Sequence, residues 1–147
     1  MNRLCIFGGI DDGTMILNEN GLIAQQCLRE IPTHYPNAVC PHFVVMPNHV
    51  HGIIELNMHS DINGRGTACR APTGERFGKP TVESIPTIIR SYKSAVTQRI
   101  HQTGYLGMIW QRNYYEHIIW DDESYKRIVE YIETNPIKWE DDELWSE

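Results

Sequence analysis

The sequence predicts a single α+β domain, an antiparallel sheet with helices mainly on one face. Its 147 residues, 41% of them hydrophobic, suit one domain with its own core and leave little room for two. Two β-rich runs, 42–46 and 49–56, flank a Pro47-Asn48 pair suited to a tight turn, which is a hairpin signal. Two later stretches, 84–102 and 121–135, repeat apolar residues at helical spacing.

Taken in order, Thr14-Met15-Ile16-Leu17 reads as a short strand. Asn18 or Asn20 then caps a helix to about Ile31, with Leu22, Ile23, Cys27, Leu28 and Ile31 as its apolar positions, and Pro32 ends it. After the hairpin, residues 57–83 mix glycine, proline, threonine and arginine without a steady period, so a long basic loop is expected within the single domain 1–147. Ser84 caps a helix to about Gln102 that tolerates Pro86 in its first turn; Ile85, Ile88, Ile89, Tyr92, Val96 and Ile100 form its stripe. Residues 108–112 and 115–120 are aromatic and β-branched, hence strand-like or extended. Asp121 or Asp122 caps the last helix, Tyr125, Ile128, Val129 and Ile132 face inward, and Asn135-Pro136 stops it.

Charge is unevenly placed. The net value is −6, yet eight basic residues face two acidic ones between Arg65 and Arg112, while the stretch from Glu116 onward holds eleven acids and three bases. A basic middle section can bind phosphates, and a solvated helix face beside a basic loop is the alternative. No apolar run approaches the roughly 18 residues needed to span a bilayer, and no leader pattern opens the sequence. Cys5, Cys27, Cys40 and Cys69 are scattered without a Cys-x-x-Cys pair, so reduced structural thiols in a cytoplasmic protein are expected.

The chemistry centres on Met46-Pro47-Asn48-His49-Val50-His51-Gly52. Alternate strand residues share a face, so His49 and His51 lie about 7 Å apart along the backbone, within reach of one ion. At 100° per residue, Tyr131 and Asn135 share one flank of the last helix. A tyrosine there is ordinarily a packing residue. Beside a divalent ion that polarises a phosphodiester, its hydroxyl becomes a candidate nucleophile.

Four blocks in order carry a resemblance: Phe43-Val44-Val45-Met46-Pro47-Asn48-His49-Val50-His51-Gly52-Ile53-Ile54; Pro86-Thr87-Ile88-Ile89-Arg90-Ser91-Tyr92-Lys93-Ser94-Ala95-Val96-Thr97; Trp110-Gln111-Arg112-Asn113-Tyr114-Tyr115-Glu116-His117-Ile118-Ile119; and Tyr131-Ile132-Glu133-Thr134-Asn135-Pro136. Together they span nearly the whole chain, which resembles the REP-associated tyrosine transposases, single-strand DNA transposases with a His-hydrophobic-His motif and one catalytic tyrosine. The resemblance implies a ferredoxin-like sheet, metal binding by His49 and His51, a nucleophilic Tyr131 and, less firmly, Asn135 as a third ligand. Magnesium or manganese would suit such ligands, although two histidines also accept zinc or nickel.

The implied reaction is cleavage and rejoining of single-stranded DNA through a 5′-phosphotyrosine, at sites bearing hairpins. Arg90, Lys93, Arg99 and Arg112 would then hold phosphates, and Trp110, Tyr114 or Tyr115 would stack on bases, with core packing as the alternative for each aromatic. Tyr114 and Tyr115 are rival nucleophiles without a partner one helical turn away, and His117 and His42 stay outside the ligand set.

The chain departs from the family at its start. Members carry an earlier Tyr-Phe-Val-Thr-type strand in the middle of the sheet, and Met1 falls after that point, so a missing first strand is expected. Three outcomes follow: replacement by Leu4-Cys5-Ile6-Phe7, pairing with a second chain as a homodimer, or an unstable fold. Two other functions stay open, a catalytically inactive DNA hairpin-binding protein and a metal-dependent phosphoesterase that activates water.

Overall fold

Asp12 and Gly13 adopt left-handed backbone, φ 47° and 71°, which closes a tight hairpin between β1 (Gly8–Asp11) and β2 (Thr14–Leu17). The sequence reading had only the second of these strands, because β1 begins with two glycines and has no alternating pattern of its own. The computed structural model describes residues 4–57, 84–112 and 114–141. Its further elements are α1 (Glu19–Arg29), α2 (Ile31–His34), β3 (Ala38–Val45), β4 (Val50–Leu56), α3 (Ile85–Gln102), α4 (Asp122–Thr134) and a closing 3-10 turn (Trp139–Asp141). The fold is α+β, with two separate antiparallel hairpins among the described residues. From residue 58 on, the expected basic loop, with Cys69 in it, lies outside the described residues.

Local chemistry explains the helix boundaries. The Asn18 Oδ1 accepts from the Gly21 N–H at 3.0 Å, capping α1, while the Asn18 and Asn20 side-chain amides donate to the Ile6 carbonyl. Gly21 is required by a close approach: a Cβ there would fall 2.1 Å from the Phe7 carbonyl oxygen. Pro32 does not merely end α1; it sits in the first turn of α2, where a missing N–H costs nothing. Ser84 precedes α3, but its hydroxyl bonds the Thr87 hydroxyl rather than a helix N–H. Asp121 caps α4 by accepting from the Ser124 N–H at 2.7 Å.

The β3–β4 hairpin is the platform. Val45 pairs with Val50 and Val44 with His51, so Phe43, Val45 and Val50 face one side while His42, Val44, His51, Ile53 and Glu55 face the other. The first side meets α1 and α3 in the main core, where Phe7, Ala24, Leu28, Val45, Ile88, Val96 and Ile100 are buried. Each buried leucine or isoleucine there stabilises by about 1.5–3 kcal/mol relative to exposure. α4 crosses the second side, so two long helices share one face and the third takes the other.

Residues 108–112 and 115–120, expected as strands or extended, form no ladder. Residues 115–120 and β4 instead line a common cleft of about 940 Å³. Residues 4–7 do not line it. The Phe7 N–H donates to the Pro47 carbonyl at 2.9 Å, which docks residues 6 and 7 at the hairpin turn. Among the described residues no helix is long and apolar enough to cross a membrane.

Candidate metal and tyrosine site

The Pro47-Asn48 turn brings the two histidines together. The Met46 N–H donates to the His49 carbonyl at 2.9 Å, closing the hairpin, and Pro47 is fully buried beneath Phe7. His49 and His51 then converge: their Nε2 atoms are 2.9 Å apart and their rings meet edge-on at 4.5 Å. Asn48 lies on the far side of His49, its Oδ1 2.6 Å from Nδ1. With the proton on Nδ1, that bond turns the Nε2 lone pair toward the site, as the hydrogen-bond acceptors behind metal-bound histidines do.

α4 and the turn after it close the site. The Tyr131 ring stands edge-on to His51, centroids 5.3 Å apart. Beyond Asn135, the N–H groups of Ile137 and Lys138 bond back to the Thr134 carbonyl, which folds the chain so that Trp139 stacks on His49 at 5.9 Å. Tyr131 is 48% exposed, open to a large substrate.

Asn135 is 3% exposed, and its Oδ1 has no hydrogen-bond partner. Leaving a buried amide oxygen unsatisfied costs about 1–3 kcal/mol, so such atoms call for a ligand. Among the described residues no three His, Cys, Asp or Glu side chains converge to hold an ion, so an ion bound here would need a donor beyond the two imidazoles, and the buried amide oxygen is the candidate. That set fits a divalent ion that keeps open positions for water and phosphate. The Nε2 separation is also close to the roughly 3 Å edge of an octahedron with ligands at about 2.1 Å.

The proposed DNA contacts fall into separate groups. Trp110 packs against Phe7 and Tyr92 and donates its Nε1–H to the Lys93 carbonyl, so its ring belongs to the core's edge. The Lys93 ammonium lies 5.7 Å from the Trp110 centroid and 5.8 Å from that of Tyr114, and it donates to the Gln111 carbonyl. Partial burial lowers its pKa. Arg99 is held by Glu30 at 2.6 Å. Arg90 and Arg112 are exposed, and Tyr115 is 95% exposed beside the cleft. Structural thiols were the expectation for the cysteines: Cys27 is a buried thiol and Cys40 a half-buried one, and burial pushes the Cys40 thiol up to about 12.

Three contributors escaped the sequence reading. Asn48 was assigned only to the turn, although an amide next to a candidate ligand is a signal. Glu55 shares a strand face with His51 and accepts from the Tyr125 hydroxyl at 2.7 Å, which the alternation of β4 would have revealed. Trp139 had no signal, since only the fold-back after α4 brings it to His49.

No family model and no solved structure matches the chain. It is 41% identical to a protein of Haemophilus influenzae described as uncharacterized, over 98% of this chain and 79% of that relative. The chain belongs to the family of that protein.

Proposed function

We propose that this protein is a metal-dependent enzyme that cleaves and rejoins single-stranded DNA at hairpin-bearing sites, in the manner of the REP-associated tyrosine transposases. One observation carries the reading: a converging histidine pair with a tyrosine ring against it in the same chain. His49, His51 and Asn135 would hold the ion, magnesium or manganese, which supplies positive charge to the scissile phosphate when bound. The Tyr131 hydroxyl attacks phosphorus and loses its proton; the new phosphorus–oxygen bond replaces that to the 3′ oxygen, which leaves as a 3′ hydroxyl. Attack by a 3′ hydroxyl on the phosphotyrosine reverses the step and rejoins a strand. The exposed cations Arg90 and Arg112 and the exposed Tyr115 suit phosphate and base contacts.

The finer fold reading is a ferredoxin-like sheet, to which the described residues contribute the β3–β4 hairpin. Its support is the cleft. The Met46–His49 bond and the hairpin register put His51 in a bonded pair with β3, so the main-chain groups of Val50 and Gly52 point to the open edge. That edge and residues 115–120 both line the cleft, where one more strand would find main-chain partners.

The test uses the full chain, hairpin-bearing single-stranded DNA and manganese, resolved on a denaturing gel. A covalent protein–DNA adduct that disappears in Tyr131→Phe is expected. Binding without cleavage would leave a hairpin-binding protein in its place, and cleavage without an adduct would make water the nucleophile. If the DNA is neither bound nor cut, the DNA reading falls.

A further inference from the structure

Among the described residues, one flank of α4 has little beneath it. Tyr125, Ile128, Tyr131 and Ile132 all line the cleft, and of the α4 side chains only Ile132 is buried. A helix so weakly packed takes its position from specific tethers more than from a close-packed interface. At its first turns the Tyr125 hydroxyl donates to Glu55 Oε1 at 2.7 Å, and the Tyr125 ring meets His42 edge-on at 5.9 Å. Six residues later, about 9 Å along the helix, Tyr131 meets His51. Glu55 and His51 stand on the same face of the same strand, about 13 Å apart.

From these contacts we infer that Glu55 and Tyr125 are positioning residues: their hydrogen bond latches the N-terminal end of α4 to the far end of β4 and thereby sets the Tyr131 hydroxyl over the histidine pair. Neither residue touches the reacting atoms. The catalytic consequence rests on the strand-cleavage reading above; the geometric one does not. An amide at position 55 still offers an oxygen to the Tyr125 hydroxyl, whereas Tyr125→Phe removes the donor and keeps the ring packing.

The experiment compares wild type, Tyr125→Phe, Glu55→Ala and Glu55→Gln as full chains. Nuclear Overhauser contacts between the Tyr131 and His51 rings are recorded without DNA or metal, with thermal melting to confirm that each variant folds. Wild type shows the contact, Tyr125→Phe and Glu55→Ala weaken it, and Glu55→Gln restores it. In single-turnover adduct formation with manganese and hairpin DNA, the two weakened variants slow by about three- to tenfold, the range of one hydrogen bond, with unchanged DNA affinity. An undiminished Tyr131–His51 contact in Tyr125→Phe, or none in wild type, overturns the latch. A normal contact pattern with no adduct even in wild type leaves the latch standing and sinks the strand-cleavage reading instead.

Discussion

Tyr131 and His51 meet edge-on within one chain, ring centroids 5.3 Å apart and planes at 76°. The proposed nucleophile and the histidine pair thus lie together within one polypeptide, and no exchange of α4 between two copies is needed to bring them together. Mixing a His49→Ala chain with a Tyr131→Phe chain should therefore yield no covalent DNA adduct. Adduct recovery on mixing, read on a denaturing gel, would place the helix in trans.

Asn135 should matter more to metal binding than to the metal-free fold. Its Oδ1 is buried without a partner, so Asn135→Leu removes an unsatisfied group of similar size and should shift metal-free stability by less than about 1 kcal/mol. Manganese should raise the melting temperature of wild type and do so far less in Asn135→Leu. Equal manganese shifts in both proteins would remove Asn135 from the ligand set.

Trp110 and Tyr115 should separate cleanly. Trp110 is packed on Phe7 and Tyr92, so Trp110→Ala is expected to cost about 3–5 kcal/mol of folding stability. Tyr115 is almost wholly exposed, so Tyr115→Ala should leave the melting temperature unchanged and weaken single-strand binding by about 1–3 kcal/mol. Chemical denaturation and fluorescence anisotropy check the two halves of this expectation.

The Glu30–Arg99 pair gives a small, signed pH dependence. The Arg99 guanidinium, and after it the Gln26 amide, hold the Glu30 carboxyl below its ordinary value. A depressed folded pKa means that the contribution is present above the unfolded carboxylate value of about 4.3 and is lost as pH falls through the folded one. Both side chains are partly exposed, so solvent screening limits the pair to about 1 kcal/mol or less. Glu30→Gln should be slightly less stable than wild type at neutral pH and equal to it at about pH 2, as measured by urea titration at each pH.

The elements and the candidate residues were legible in the sequence to different depths. The Asn18 and Asp121 caps, the Pro47-Asn48 turn and most of the α3 stripe could be read because each depends on neighbours within a few residues, whereas Leu22 of the expected α1 stripe is exposed and of the expected α4 stripe only Ile132 is buried. The histidine pair could be read for the same reason, since a strand's alternation determines which side chains share a face. β1 could not, because its glycines carry no pattern.

Tertiary structure decided the rest. It put α4 on the hairpin face opposite α1 and α3, turned Trp110 into the core, committed Arg99 to Glu30, and brought Trp139 back onto His49. It also left residues 115–120 along a cleft that β4 lines, outside any ladder. These are contacts between residues from tens to about a hundred positions apart. Local propensity supplies their side chains, but only the packing of one element against another selects their partners.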